Sequence, residues 1–160
     1  MGLFLSTYLN KIDKKGRISV PAPFRGVIAS VTKPGQDFLG IIAYSSFVNP
    51  CIEACGMDRM RKLSESIDNL DPYSDSRDAF ATAILGGSVQ LAFDSEGRIT
   101  LPENLLKDSK ITESAIFVGK GQAFEIWNPE TFAEYAAKAR DIAKKERSSL
   151  HLSAKNGGGQ

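Results

Sequence analysis

The chain is poor in the residues from which metal sites, disulfide scaffolds and catalytic dyads are built. Its 160 residues include two cysteines, Cys51 and Cys55, and one histidine, His151. Because a metal site needs more ligands than these, we expect no metal and no cofactor, and we interpret both cysteines as buried free thiols. The sequence has no nucleophile paired with a histidine and no phosphate-binding glycine loop, which argues against an enzyme.

Long apolar runs are also missing. No stretch of about 18 or more apolar residues occurs, so we expect no membrane-spanning helix. Residues 1–6 are apolar but few, with no basic residue ahead of them and no cleavage signature after them. We therefore interpret this segment as an edge strand and not as a signal peptide, and we expect a cytoplasmic protein.

The charge of the chain is small in sum but uneven in distribution. A formal net charge of +1 argues by itself against a nucleic-acid binder. Between positions 1 and 35, however, Asp13 is the one acidic residue, and a local basic patch is sufficient to meet phosphate groups. The basic residues of this segment are Lys11, Lys14, Lys15, Arg17, Arg25 and Lys33.

A nine-residue motif occurs twice. Residues 13–21 read Asp-Lys-Lys-Gly-Arg-Ile-Ser-Val-Pro, and residues 94–102 read Asp-Ser-Glu-Gly-Arg-Ile-Thr-Leu-Pro. Alternating apolar and polar residues flank each copy, so each predicts a hairpin whose turn uses a glycine of positive φ. Residues of both copies are assigned a structural role in the turn. They are Asp13, Gly16, Asp94, Gly97 and Arg98.

The repeat extends beyond the motif. Each copy is followed by a short proline-led helix, predicted at 23–29 and 102–106, then by a strand pair and a longer helix, predicted at 57–70 and 129–147. Glu53 in the first strand pair matches Glu125 in the second. Between the copies, Asp71-Pro72 is predicted to end one helix and cap the next, which reaches about Leu85.

These patterns predict the domain organisation. We expect repeat one over 5–70, a linker helix over 71–87, repeat two over 88–147 and a disordered tail over 148–160. A half of about 60 residues can hardly build its own core. The two halves should therefore pair with each other as a pseudo-dimer within one chain.

The two motif copies, the Phe24-Arg25 pair after the first, and the segment Phe-Glu-Ile-Trp-Asn-Pro-Glu at 124–130 resemble the bacterial MraZ family. The resemblance covers about residues 1–147. It implies an α+β fold: a mostly-β, pseudo-dimeric swapped-hairpin barrel of the AbrB-like type with flanking helices. It also implies a ring-shaped homo-oligomer that binds double-stranded DNA on the nucleoid. The expected site is a set of short tandem repeats upstream of the operon for cell division and cell-wall synthesis.

The resemblance also implies a DNA-contacting surface on the N-terminal turn. In this chain that surface comprises Lys14, Lys15 and Arg17, and we add the basic neighbours Lys11 and Arg25. The counterparts of the two turn lysines are Ser95 and Glu96, so the fold does not require lysine there; that the lysines are simply solvated stays open. For Arg17, direct DNA contact and a pairing with Asp13 that holds the hairpin both remain open.

Three further interpretations remain beside this one. An AbrB-like antitoxin would also bind DNA, but two motif copies and a short tail are untypical of antitoxins. A purely structural ring protein would bind no DNA. Four aromatic residues form either a stacking platform for single strands or, as their spacing favours, part of the core. They are Phe124, Trp127, Phe132 and Tyr135.

Overall fold

The computed structural model describes residues 2–35 and 38–152. The strands are β1 Thr7–Lys11, β2 Arg17–Ser19, β3 Gly40–Ser45, β4 Ile52–Cys55, β5 Val89–Ala92, β6 Arg98–Thr100, β7 Ser114–Gly119 and β8 Phe124–Trp127. The helices are α1 Ala22–Val31, α2 Met57–Asp68, α3 Asp75–Phe80 with a π-helical continuation Ala81–Leu85, α4 Glu103–Ser109 and α5 Pro129–Lys145, followed by a 3-10 turn Arg147–Ser149. The predicted α+β class is confirmed.

Most strand pairings join one repeat to the other. The six-stranded sheet has the order β1-β7-β8-β4-β3-β5, and β2 pairs with β6 in a separate two-stranded ribbon; all neighbours are antiparallel. Thus β1 and β5 each take their partner from the other repeat. The strands that flank the first turn were predicted to pair as an ordinary hairpin. They share only a single bridge, between Ile12 and Ile18, because their remaining hydrogen-bonding groups pair across the repeats.

The strand register relates the two repeats by a local twofold axis. Ile18 lies opposite Ile99 in the ribbon, and Glu53 lies opposite Glu125 in the centre of the large sheet. Each pair consists of equivalent residues of the two repeats, so the predicted match between the glutamates is confirmed. The edge strands β1 and β5 do not pair with each other, and among residues 2–35 and 38–152 the strands form two separate sheets without closing into a barrel.

The core is built by both repeats together. Phe24 of α1 is fully buried, and its ring centroid lies 5.3 Å from that of Phe4 and 4.9 Å from that of Phe124. Ile18 and Ile99 face this cluster from the ribbon. In this cluster the buried surface of each half is completed by side chains of the other half, so the main core belongs to both repeats.

Facing carboxylates at the centre of the sheet have separate partners. The Tyr44 hydroxyl donates to Glu53 at 2.9 Å, and the Trp127 indole N–H donates to Glu125 at 2.8 Å. The Lys120 ammonium lies 3.1 Å from the same oxygen of Glu125. Burial, together with the nearby Glu53 charge, raises the pKa of Tyr44 above its usual range. These partners reduce the cost of placing two like charges opposite each other.

A second apolar cluster covers the other face of the sheet. It is formed by Ile42, Tyr44, Cys55, Met60, Ile67 and Ile84. The linker helix begins later than predicted, because its cap is Ser74, whose hydroxyl accepts from the Arg77 N–H at 3.1 Å. The prediction that Asp71 is that cap is therefore wrong. Its carboxylate instead accepts from the Tyr73 N–H, which forms a local turn before the helix.

Both cysteines are buried free thiols, as predicted. Burial raises the pKa of the Cys55 thiol to about 12 and raises that of Cys51 further above its usual range. Phe124 and Trp127 are fully buried, which confirms the core interpretation for these two rings. No helix in the part of the chain that the structure describes combines the length and apolarity needed to cross a membrane.

The chain divides into two compact units, residues 1–129 and 130–160. The second unit contains most of α5, on which no residue is buried, so Phe132 and Tyr135 are not core residues. Of the tail predicted to be disordered, residues 148 and 149 belong to the 3-10 turn, and 153–160 lie outside the described residues.

Candidate nucleic-acid interface

The first turn is closed by the carboxylate of Asp13. One oxygen accepts from the backbone N–H groups of Lys15 and Arg17 at 2.9 and 2.8 Å, and the other accepts from Arg17 Nε at 2.7 Å. Gly16 has a φ of +82°, which a residue with a side chain rarely adopts. The backbone N–H of Arg17, foremost, holds the pKa of Asp13 below its usual value. Asp13 and Arg17 together therefore set the conformation of the turn.

The second turn repeats this geometry. Asp94 accepts from the backbone N–H groups of Glu96 and Arg98, each at 2.9 Å, and from Arg98 Nε at 2.8 Å. Gly97 has a φ of +77°. The pKa of Asp94 is lowered, chiefly by the Arg98 backbone N–H, and the Asp94 side chain raises the pKa of Arg98. The Asp-x-x-Gly-Arg motif thus encodes one turn, which the chain forms twice.

The distal guanidinium nitrogens distinguish the two arginines. Arg98 Nη2 lies 3.4 Å from the Glu96 carboxylate, so the second turn neutralises its own arginine. Lys15 occupies the position equivalent to Glu96. Within residues 2–35 and 38–152, neither Nη atom of Arg17 donates a hydrogen bond, and 34% of its side chain is exposed. Arg17 therefore holds the turn through Nε and leaves its two Nη groups available to a ligand.

Three lysines extend the basic surface of the first turn. Lys14 and Lys15 are exposed at its tip, and Lys11 is exposed at the end of β1. Lys11 and Lys14 border an open cleft of about 530 Å³, which Glu113 also lines. The formal charge of residues 13–17 is +2, whereas that of residues 94–98 is −1. The same backbone thus carries a cationic turn in the first repeat and an anionic turn in the second.

Arg25 lies at the second turn and not at the first. It donates from Nη1 to the carbonyl of Val20, and a Cβ placed on Gly97 would lie 2.7 Å from its guanidinium carbon. At the first turn the equivalent neighbour of Gly16 is Leu106, whose Cδ1 would lie 3.9 Å from a Cβ there. The helix of each repeat therefore supports the turn of the other repeat. Sequence order alone placed Arg25 near the wrong turn.

The two turns sit at opposite ends of the ribbon. Gly16 O accepts from the Leu101 N–H at 2.8 Å, and Gly97 O accepts from the Val20 N–H at 3.1 Å. Gly16 and Val20 are four residues apart, which corresponds to about 13 Å of strand. The structure thus brings Lys11, Lys14, Lys15 and Arg17 together and separates Arg25 from them.

Sequence reasoning missed Asn10. Its side-chain Nδ2 donates to the carbonyl of Ser19 at 2.7 Å and so ties β1 to β2 beside the first turn. A comparison of the two repeats could have identified Asn10, because the equivalent position in the second repeat is the apolar Leu91. In the described part of the chain, no group of three or more His, Cys, Asp or Glu side chains is arranged to hold a metal ion.

The duplicated turn, the cross-repeat sheet and the shared core define a class of two-repeat α+β proteins in which one chain forms both halves of a pseudo-dimer. Comparison with known proteins narrows this class. The family model described as "MraZ protein, putative antitoxin-like" matches residues 84–152. Similarity to proteins of this name spans most of the sequence, and the chain belongs to the MraZ family.

Two relatives show the extent of the similarity. A protein of Rickettsia canadensis (strain McKiel) is 51% identical over 151 residues, which are 94% of this chain and 97% of the relative. A protein of Pelagibacter ubique (strain HTCC1062) is 53% identical over 148 residues, which are 92% of each chain. Both carry the name "Transcriptional regulator MraZ".

Proposed function

We propose that this protein is a transcriptional regulator that binds double-stranded DNA through its first turn, and that it is not an enzyme. The observation that most directly supports this proposal is the contrast between the two turns. On one scaffold, Arg98 is neutralised by Glu96, whereas Arg17 keeps its Nη groups free of partners among the described residues and is flanked by Lys14 and Lys15. The names of the relatives support the regulatory role.

The chemistry of the first turn suits phosphate groups. Lysine ammonium groups neutralise phosphates as point charges, and a guanidinium with two available nitrogens can form a bidentate contact with phosphate or with guanine. Lys14, Lys15 and Arg17 would supply these contacts, with Lys11 at the base of the turn. In this proposal Arg25 supports the second turn and does not contact DNA.

A single turn offers few charges, so its affinity for DNA would be weak and would fall steeply with salt. Binding becomes tighter when several turns engage one duplex, because each further contact is then intramolecular and avidity rises by about a hundredfold or more. We therefore propose a ring-shaped homo-oligomer of AbrB-like swapped-hairpin subunits. It would act in the cytoplasm on the nucleoid, at short tandem repeats upstream of the cell-division and cell-wall operon.

The first experiment is footprinting on the DNA directly upstream of the protein's own gene, followed by gel shifts with a double charge reversal, Lys14→Glu with Lys15→Glu. We expect the reversal to abolish the shift. The matched control is Lys144→Glu with Lys145→Glu, which changes the net charge equally on exposed residues at the end of α5. Equal loss of binding in both variants would mean that net charge and not the first turn governs binding.

The tandem-site proposal has its own test. Affinity is measured for duplexes that carry one, two and three copies of the footprinted sequence. We expect affinity to rise with copy number. Equal affinity for all three duplexes would contradict the proposed ring but not the proposed contact between the first turn and DNA.

The alternative function is an antitoxin of the AbrB-like type. The matched family model supports this alternative, because its description includes the term "antitoxin-like". An antitoxin would relieve growth arrest caused by a co-expressed product of a neighbouring gene. A regulator would instead change transcript levels from the promoter that it binds, and it would not relieve the growth arrest. Measuring both in one strain separates the two functions.

A further inference from the structure

We infer that Asn10 is a positioning residue that holds the basic turn at a defined angle to the sheet, so that the turn is ordered before DNA arrives. The inference rests on the proposed DNA-binding role of that turn. Asn10 belongs to β1 at the edge of the six-stranded sheet, whereas Ser19 belongs to β2 in the separate ribbon. The bond from Asn10 Nδ2 to Ser19 O, 2.7 Å long, joins the two sheets.

The backbone alone ties the two strands only close to the tip. The Asp13 N–H donates to the carbonyl of Arg17 at 3.0 Å, and Ile12 bridges Ile18. Farther from the tip, β1 continues into its pairing with β7 and β2 into its pairing with β6, so backbone hydrogen bonds between them end. The Asn10 side chain supplies the next tie where the main chain does not.

The second repeat lacks this arrangement. Leu91 stands at the position of Asn10 and packs against the core, so the fold does not require an amide there. In the described chain, the equivalent of the Ile12–Ile18 bridge, between Phe93 and Ile99, is not formed. The additional ties therefore occur in the repeat whose turn is cationic, and they are absent from the repeat whose turn is anionic.

The physical benefit is preorganisation. Asp13, at the base of the tip that carries Lys14 and Lys15, is three residues from Asn10, a lever of about 10 Å at the rise of a strand. A swing of about 10° at that distance moves the turn by roughly 1.7 Å, which is enough to weaken a charge-assisted hydrogen bond. A turn that is already held loses less conformational freedom on binding, and the affinity is correspondingly higher.

The test replaces Asn10 by the residue of the second repeat, Asn10→Leu. The control is Thr7→Val, a nearly isosteric change at an exposed position of the same strand whose side chain makes no hydrogen bond to the described residues. Amide hydrogen exchange at Gly16 and Arg17 is measured in the free full-length protein. DNA affinity is measured at several salt concentrations.

We expect Asn10→Leu to speed exchange at Gly16 and Arg17 but not in β8. Affinity should fall about two- to tenfold, the loss expected for one hydrogen bond. The salt dependence should keep its slope, because the same phosphates are contacted. A merely structural role would speed exchange throughout the large sheet and lower the melting temperature.

The outcomes separate this inference from the proposed function. Failure of the wild-type protein to bind DNA removes the proposed function and this inference with it. Wild-type binding with unchanged affinity or unchanged exchange in Asn10→Leu overturns the positioning role of Asn10 alone. A slope that falls together with affinity also overturns it, because Asn10 would then be altering the number of phosphate contacts.

Discussion

Arg17 and Arg98 form a natural pair for measuring what one guanidinium contributes to DNA binding. Each closes its turn through Nε, at 2.7 and 2.8 Å from the aspartate oxygen, and the two side chains are 34% and 26% exposed. Arg17→Ala and Arg98→Ala should therefore cost the fold similar stability. Any difference between them in DNA binding then reports the Nη groups, because among the described residues both Nη groups of Arg17 lack a partner, whereas Nη2 of Arg98 is bound by Glu96.

The size of the difference follows from the contacts that are lost. A hydrogen bond to a charged group corresponds to roughly a ten- to hundredfold change in affinity, so we expect Arg17→Ala to bind at least about tenfold more weakly than Arg98→Ala. If the lost contact is to a phosphate, the slope of log affinity against log salt falls by about 0.9. If it is to a base edge, the slope stays the same and discrimination between sequences is reduced.

The assay is fluorescence anisotropy with the footprinted duplex and with a scrambled duplex, at several salt concentrations. Circular dichroism melts of both variants check that they are folded and equally destabilised. Equal loss of affinity in the two variants would refute the reasoning, since Arg17 would then act only by holding its turn.

Three other predictions follow from the paired turns and the shared fold. Replacing Ser95 and Glu96 by lysine should strengthen DNA binding and steepen its salt dependence in gel shifts, because two cations are added and the carboxylate beside the second arginine is removed; unchanged binding would show that the second turn cannot reach DNA. The lowered pKa values of Asp13 and Asp94 mean that their stabilisation is complete above the ordinary aspartate value of 3.8 and is lost as pH falls through the folded-state values. Melting temperatures of the two Asp→Asn variants should therefore depend less on pH below about 4 than those of the wild type, and parallel curves would contradict this. A fragment of residues 1–87 should be unfolded as a monomer by circular dichroism, because β1 and β2 lose their partner strands and β4 keeps only β3; a folded spectrum independent of concentration would contradict the shared core.

Local patterns predicted most of the elements correctly. The helix expected at 57–70 is present as Met57–Asp68, and the short helix expected at 23–29 as Ala22–Val31. Such elements depend on periodicity and on proline at the start of a helix, which short stretches of sequence contain. The start of the linker helix was misplaced, because Ser74 and Asp71 are both good caps and only the hydrogen bonds of the folded chain distinguish them.

The candidate site was predictable only in part. Comparing the two motif copies singled out Lys14 and Lys15, because the fold tolerates other residues at their equivalents. Which nitrogens of Arg17 bind Asp13 and which have no partner among the described residues was not predictable, since the role of each guanidinium nitrogen depends on which side chains surround it. Arg25 was assigned to the first turn because it follows that turn closely in sequence, whereas in the folded chain it lies against Gly97.

The sequence by itself determined the two turns. Their aspartate, glycine and arginine interact within five residues, so the conformation is encoded locally and occurs wherever the motif does. Only the tertiary structure decided which strands, helices and turns lie together. The pairings of β1, β2 and β4 with the second repeat join residues 70 to 111 positions apart, and they depend on two incomplete halves burying their apolar faces against each other. The chemistry of each turn is therefore local, and its surroundings come from the opposite repeat.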